Sequence, residues 1–226
     1  MLALIDSDLL VYRVAWTTLA DSESIAFYRM DEMLRGIQEA LQTNRYKCYL
    51  TSHDGSSFRH LIYDQYKANR KQEKPTHYHA LRNYLLETHG AEMVYDQEAD
   101  DALGIAQCAM DGTCIISIDK DLDQIPGWHY NFVKKELYEV TPNQGLRHFY
   151  MQLLMGDRID NIPGVYGIGP VNAKRIIDKC KNEEEMWNAC LTEYAGDIAT
   201  ATRNAQLLKI RTRENEIWDV PSRSVV

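Results

Sequence analysis

Residues Thr113–Gln124 read TCIISIDKDLDQ. The first six form a β-branched run, the clearest strand in the chain, and acids follow at once at Asp119 and Asp121. Upstream, Gln97–Met110 predicts a helix with an apolar face at Ala102, Leu103, Ile105, Ala106 and Ala109. Before it, Ala91–Tyr95 and Lys47–Ser52 (KCYLTS) read as strands, the latter followed by a turn at His53–Ser57. Met30, Leu34, Ile37 and Leu41 recur at helical spacing, and Leu2–Asp6 is a short apolar run ending in acid. Strands alternating with helices predict an α/β fold with a mostly parallel central sheet flanked by helices.

Downstream the pattern changes. Trp128–Val133 and Glu136–Val140 flank Lys134 and Lys135 as a hairpin would. Thr141 and Pro142 are an N-cap and a first helical residue. Asn182–Glu185 opens another helix, and Asp197–Arg211 has alanines and leucines at helical spacing. The expected division is residues 1–140 as an α/β core and residues 141–226 as a helical portion.

The chain has 226 residues, 45% hydrophobic and 26% charged, which suits a folded domain and argues against global disorder. No stretch approaches ~20 consecutive apolar residues. The first residues lack the basic start of a secretory signal. Five cysteines without C-x-x-C spacing argue against a disulfide framework or a zinc ribbon and fit a reducing cytoplasm.

The net charge of −8 looks wrong for a nucleic-acid binder until its distribution is considered. Asp6, Glu98, Asp100, Asp101, Asp119, Asp121, Asp157 and Asp160 fall in short clusters where strands or loops end. Setting these eight aside leaves 25 of the 33 acids, equal to the 25 lysines and arginines. Gathered at the carboxyl ends of strands, they are the hard-oxygen donors that two magnesium-like cations require. Ions ~3.5–4 Å apart can activate water and stabilise the leaving oxygen of a phosphodiester. The same acids would also suit a helix N-terminus and solvated loops.

Ile162–Ile177 reads IPGVYGIGPVNAKRII. Gly164, Gly167 and Gly169 precede Pro170 and a basic helix carrying Lys174 and Arg175. This spacing is not a dinucleotide fingerprint. It fits a helix–hairpin–helix, in which glycines let backbone approach a phosphate, and equally a plain glycine-rich connector. Phe58–Arg82 holds Arg59, Lys67, Arg70, Lys71, Lys74 and Arg82 interleaved with Tyr63, Tyr66 and Tyr78, a composition suited to single-stranded nucleic acid or to an exposed basic helix. Lys67 and Arg70, three apart, would share one face of a helix. Tyr66 beside them could stack on a base.

Together these stretches resemble the 5′-nuclease family: flap endonucleases, bacteriophage 5′→3′ exonucleases and the 5′ nuclease domain of bacterial DNA polymerase I. The resemblance is carried by LID at Leu4–Asp6 with Tyr12 and Arg13, SFRH at Ser57–His60, and YKANR at Tyr66–Arg70. It continues with EADD at Glu98–Asp101, DKDLDQ at Asp119–Gln124 and GDRIDNIPGVYGIGPVNAKRII at Gly156–Ile177. In size the chain is nearest a free-standing bacteriophage exonuclease. The resemblance implies that Asp6, Glu98, Asp100 and Asp101 hold a first Mg²⁺ or Mn²⁺ ion and that Asp157 and Asp160 hold a second, with Asp119 and Asp121 between. It implies that Lys67 and Arg70 are catalytic cations reaching the scissile phosphate from a helical arch at about 58–90. Arg13, Arg59, Tyr66, Gly164, Gly167, Gly169, Lys174 and Arg175 would contact DNA, and the Gly164–Gly169 hairpin would also take K⁺.

One position departs from the family. Its usual aspartate six residues before the Phe of SFR is Ser52 here, leaving Asp54 or a water as the replacement; Asp8 and Asp123 are extra acids of open role. The activity implied is 5′→3′ exonuclease or flap endonuclease hydrolysis of DNA by two metals, in a cytoplasmic monomer (the host's cytoplasm for a bacteriophage protein) acting on a 5′ end, flap or gap. An inactive DNA-binding protein of the same fold, and an unrelated metal phosphatase or ribonuclease, are the competing readings.

Overall fold

The computed structural model describes residues 1–52, 57–70 and 73–221. Its sheet is explained by three strands: β1 (Leu2–Asp6), β2 (Tyr46–Thr51) and β4 (Thr113–Ile116). Ala3, Ile5, Cys48, Leu50, Cys114 and Ile116 enter one core, while Leu4, Tyr49 and Ile115 enter a second on the opposite side. Successive side chains point to opposite faces, so a strand buried on both must be apolar throughout. That is why these segments read as unbroken apolar runs.

Helices α1 (Ser7–Thr17), α2 (Glu23–Leu41) and, after a short α3 (Phe58–Ile62), α4 (Tyr78–His89) supply the first core. Helix α5 (Ala99–Ala109) supplies the second. The strand order is β3-β2-β1-β4-β5-β6, with β3 at Glu92–Val94, β5 at Gly127–Asn131 and β6 at Glu136–Val140. All neighbours pair in parallel except β5 and β6, the predicted hairpin. The chain steps from β1 outward to β3, then returns to place β4 on the other side of β1. Strand order thus reverses between β1 and β4, and in open α/β sheets that reversal opens a crevice at the carboxyl ends.

The second half is helical: α6 (Pro142–Met155), a two-residue pair β7 (Gly156–Asp157) and β8 (Ile162–Pro163), then α7 (Pro170–Ile177), α8 (Glu183–Glu193) and α9 (Ile198–Leu208). Thr141 caps α6, accepting from Gln144 N–H at 3.3 Å. These helices share a third core with Tyr66, Trp187 and Trp218. Gln124 joins it to the sheet. Its amide donates to Gln152 Oε1 (2.7 Å) and Leu208 O (2.8 Å) and accepts from Ile210 N–H (3.2 Å). Two helix glycines permit this packing, since a Cβ at Gly145 would lie 2.3 Å from Gln124 O and one at Gly104 would lie 2.4 Å from Arg211 O.

The helix expected over Lys67–Arg70 does not form. Residues 64–69 are turns, and Lys67 sits at φ +56°, in the left-handed region. Its N–H donates across the chain to Asp160 O at 2.9 Å, not back along a helix. Tertiary hydrogen bonding has overridden local propensity here. Asp54 and most of the His53–Ser57 turn lie outside the described residues. Among the described residues no helix is long and apolar enough to cross a membrane.

Candidate active site

The crevice at the β1/β4 reversal collects the predicted acids. Asp6 ends β1, is 3% exposed and accepts from Ser117 Oγ at 2.8 Å. Ser117 Oγ in turn accepts from Asp119 N–H at 3.0 Å, so one hydroxyl orients two acidic segments. Asp119 accepts from Asp121 N–H (2.9 Å), and Gln152 Nε2 of α6 donates to Asp121 Oδ1 (2.5 Å). Asp157 accepts from the backbone of Ile159 (2.7 Å) and Asp160 (3.3 Å), which shapes the loop after β7. Glu98, Asp100, Asp121, Asp157 and Asp160 line one pocket with Tyr66.

These carboxylates repel one another. Burial first, then Asp8 and Asp119, push Asp6 up to about 7. Burial, Asp119 and Asp157 push Asp121 up to about 7 as well. Asp100 is raised well above the ordinary range by burial and by Asp6 and Asp119, and Asp157 is raised by burial and Asp160. Asp119 acts on every one of the four, as a group standing between two clusters would.

Glu98 is the exception. Burial works against its charge, but Lys67 and Arg59 outweigh it and hold the carboxyl below its usual range. Lys67 Nζ pairs with Glu98 and lies 3.6 Å from Asp160 Oδ2, while Arg70 pairs with Asp160 Oδ1. The cations predicted to reach a phosphate therefore rest on acids from both predicted metal clusters. Tyr66 is not placed to stack on a base. It is 2% exposed, and its hydroxyl lies 3.0 Å from both Glu98 Oε2 and Asp160 Oδ2.

Arg59 and Asp101 also differ from expectation. Arg59, expected to contact DNA, is 3% exposed and donates to Asp101 Oδ2 (2.5 Å) and Oδ1 (2.9 Å), Leu207 O (2.7 Å) and Lys209 O (3.0 Å). A buried guanidinium with these partners has none to offer a phosphate. Asp101, expected as a metal ligand, is fully buried and is the partner that neutralises it. The extra acids have structural roles: Asp8 pairs with the buried Arg82 and accepts from Thr51 N–H (2.9 Å), and Asp123 accepts from Tyr138 Oη (2.7 Å). Ser117 and Gln152 carry no signal in the sequence, because a lone polar residue in an apolar run or helix makes no motif; Gln124 stands in DKDLDQ without its bridging role being legible, and the role of Arg211 depends on partners far away in sequence.

Residues 1–150 match the 5′-3′ exonuclease N-terminal resolvase-like domain. The chain belongs to this family. A 5′-3′ exonuclease of Buchnera aphidicola is 28% identical over 213 residues, covering 82% of this chain and 72% of the relative. DNA polymerase I of Bacillus caldotenax is 30% identical over 166 residues, covering 63% of this chain and 18% of the polymerase. The chain spans less than a fifth of the length of the DNA polymerase I relatives first matched. In fold it resembles the T5 D15 protein co-crystallised with metal ions, with a TM-score of 0.70 at 19% identity over 93% of this chain and 90% of that one.

In this 5′-3′ exonuclease-family chain the glycine hairpin divides into two parts. Gly164 is packed inward, where a Cβ would meet Met155 C at 2.1 Å and Gly156 N at 2.4 Å, so its smallness serves chain packing and not a phosphate. Gly167 (φ +79°) and Gly169 open onto free space beside a fully exposed Tyr166. Lys174, in an exposed pair with Asp178 (2.5 Å), and Arg175 face solvent on α7; Arg13 does so on α1. The acids fit hard divalent cations chemically, since all donors are carboxylate oxygens and Asp6, Asp100, Asp121 and Asp157 are crowded by neighbouring carboxylates. Among the described residues, though, no three acids, histidines or cysteines form a closed ligand cluster; Lys67 and Arg70 take up Glu98 and Asp160.

Proposed function

We infer that this chain is a metal-dependent 5′ nuclease, an exonuclease or flap endonuclease that hydrolyses DNA phosphodiesters to 5′-phosphate products. One observation carries the reading: Asp6, Glu98, Asp100, Asp119, Asp121, Asp157 and Asp160, from four separate segments, meet at the sheet's crevice and repel one another. Divalent magnesium or manganese held there would supply Lewis acidity toward the phosphate and lower the pKa of an attacking water. Asp6, Glu98 and Asp100 would hold one ion, Asp157 and Asp160 the other, with Asp119 and Asp121 between them.

The chain's own side chains do the rest. Ser117 and Gln152 fix the carboxylates of Asp6 and Asp121. Lys67 and Arg70 leave Glu98 and Asp160 for the phosphate oxygens, where fixed positive charge favours the transition state over the ground state. Gly167, Gly169, Lys174 and Arg175 would grip the duplex, and Arg13, exposed on α1, would add a further DNA contact. Open backbone at the hairpin is where potassium would bind. The test is to incubate 5′-labelled duplex and flap DNA with Mg²⁺ or Mn²⁺, then with excess EDTA. Cleavage from the 5′ end that stops with chelator is expected. DNA that is bound but left intact with both metals would mark a binding protein instead.

A further inference from the structure

Asp101 sits in the EADD motif, yet its surroundings separate it from Glu98 and Asp100. Each of its oxygens accepts twice: Oδ2 from Arg59 Nη1 (2.5 Å) and Glu98 N–H (3.1 Å), Oδ1 from Arg59 Nη2 (2.9 Å) and Arg211 N–H (3.0 Å). A carboxylate has about four lone-pair positions, and all four are used. The side chain is 0% exposed and does not line the pocket that Glu98 and Asp100 share.

Arg59 is spent in the same way. Beyond Asp101 it donates to Leu207 O and Lys209 O, at the end of α9 and just past it. Arg211, whose N–H meets Asp101, stacks its guanidinium 3.8 Å from the Phe58 ring centre and donates to Gln97 Oε1 (3.2 Å) and Glu216 O (2.9 Å). The pair thus joins α3, the first turn of α5 and the chain from 207 to 211. That first turn carries Glu98 and Asp100.

We propose that Arg59 and Asp101 form a buried positioning pair, which holds the first turn of α5 against the 207–211 segment so that Glu98 and Asp100 face the crevice, and that Asp101 is not itself a metal ligand. The inference rests on the nuclease reading only for the identity of the group that Glu98 and Asp100 would hold. The bidentate geometry explains why arginine stands at 59. Lysine could neither span both oxygens nor reach the two carbonyls at once. Removing either partner leaves the other charge buried and unpaired, which loosens the turn.

Electrostatics alone makes the opposite forecast. Removing a cation 3.8 Å from Glu98 Oε2 should tighten binding of a divalent metal. Mn²⁺ affinity, measured by paramagnetic resonance on the folded full-length chain, therefore separates the two views. Arg59→Gln should weaken Mn²⁺ binding by ~10-fold or more, the scale for losing an outer-shell support. Asp101→Asn should do the same. The double variant should be no worse than roughly 3-fold below the weaker single, because partners in one unit are not additive. Asp100→Asn combined with Arg59→Gln should instead multiply. Arg59→Lys, which keeps the charge, serves where Arg59→Gln does not fold, and it should weaken binding in the same direction.

Hydrogen exchange on the metal-free chain gives an independent reading. Arg59→Gln should speed exchange in both 98–103 and 207–211, whereas Asp100→Asn should leave 207–211 unchanged. Mn²⁺ binding in Arg59→Gln equal to or tighter than wild type, or exchange unaltered in both segments, overturns the proposal. Failure of the wild-type chain to bind Mn²⁺ at all would sink the nuclease reading, and the exchange measurement would still decide the pair.

Discussion

Asp121→Asn should make the metal-free protein more stable while abolishing its turnover. Asn keeps the shape and the oxygen that accepts from Gln152 Nε2, so what changes is the charge. Asp121 is raised from 3.8 to about 7 by burial and by Asp119, Asp157, Asp160 and Asp123. A carboxyl raised on folding favours the folded state below pH 3.8 and loses that advantage as pH rises through 7. At pH 7.5 the whole penalty is in force: roughly three pH units at about 1.4 kcal/mol each, so about 4 kcal/mol at most. The crevice is open to water on one side, and screening reduces this to roughly 1–2 kcal/mol. For a chain of this size that is a rise of roughly 2–8 °C in Tm. The assay is a thermal melt of both proteins in chelator at pH 7.5 and pH 5. The gap should narrow at pH 5 to roughly a third of its width, because Asp121 is then protonated when folded. Saturating Mg²⁺ should raise the wild-type Tm by more than that of the variant. A variant no more stable than wild type at pH 7.5, or a gap that widens on acidification, would refute the reasoning.

Four other outcomes are expected. Lys67→Ala should lower the single-turnover cleavage rate at saturating enzyme by about 10²-fold, the scale for one preorganised electrostatic partner; full rescue by added enzyme would move Lys67 to simple binding. Lys174→Ala with Arg175→Ala should make the salt dependence of duplex binding shallower by up to ~2 units of slope and leave the saturated rate almost unchanged. Asp157→Asn should abolish cleavage while leaving DNA affinity equal or greater, which an electrophoretic shift in Mg²⁺-free buffer checks. Gly104→Ala should destabilise the chain by roughly 1–3 kcal/mol in a denaturant titration, because its Cβ would lie 2.4 Å from Arg211 O.

The sheet was legible because a strand buried on both faces leaves an unbroken apolar run, as in Cys114, Ile115 and Ile116. The acids stand out in the sequence because they fall where elements begin or end: Asp6 closes β1, Glu98 and Asp100 open α5, Asp119 and Asp121 follow β4, and Asp157 closes β7. What stayed hidden is which charges neutralise which. Arg59, Lys67, Arg70 and Arg82 look alike along the chain. In space Arg82 is 1% exposed against Asp8, Arg59 is buried against Asp101, and only Lys67 and Arg70 remain at the crevice rim. Position in a motif says nothing about burial, so Asp101 reads as a ligand beside Asp100 although their environments are opposite. The turn that stands in place of a helix over Lys67–Arg70 has a related cause, since the backbone partner of Lys67 N–H, Asp160 O, lies far away in sequence.

The segment from Gln65 to Arg70 has no helix to hold it, yet it is pinned at several points. Asn161 Nδ2 donates to Gln65 O (2.8 Å), Asn69 Nδ2 donates to Arg158 O (2.8 Å), and Lys67 N–H meets Asp160 O (2.9 Å). These backbone contacts do not involve the carboxylates. The side-chain contacts of Tyr66, Lys67 and Arg70 do. A divalent cation at Glu98 or Asp160 would therefore release Lys67 and Arg70 without releasing the segment that carries them. A freed cation on an anchored backbone stays within reach of the same crevice and pays little further entropy to meet a phosphate there. On the proposed nuclease reading, the loop at 157–161 would fix where the cations start, and the carboxylates would decide whether they are free to act.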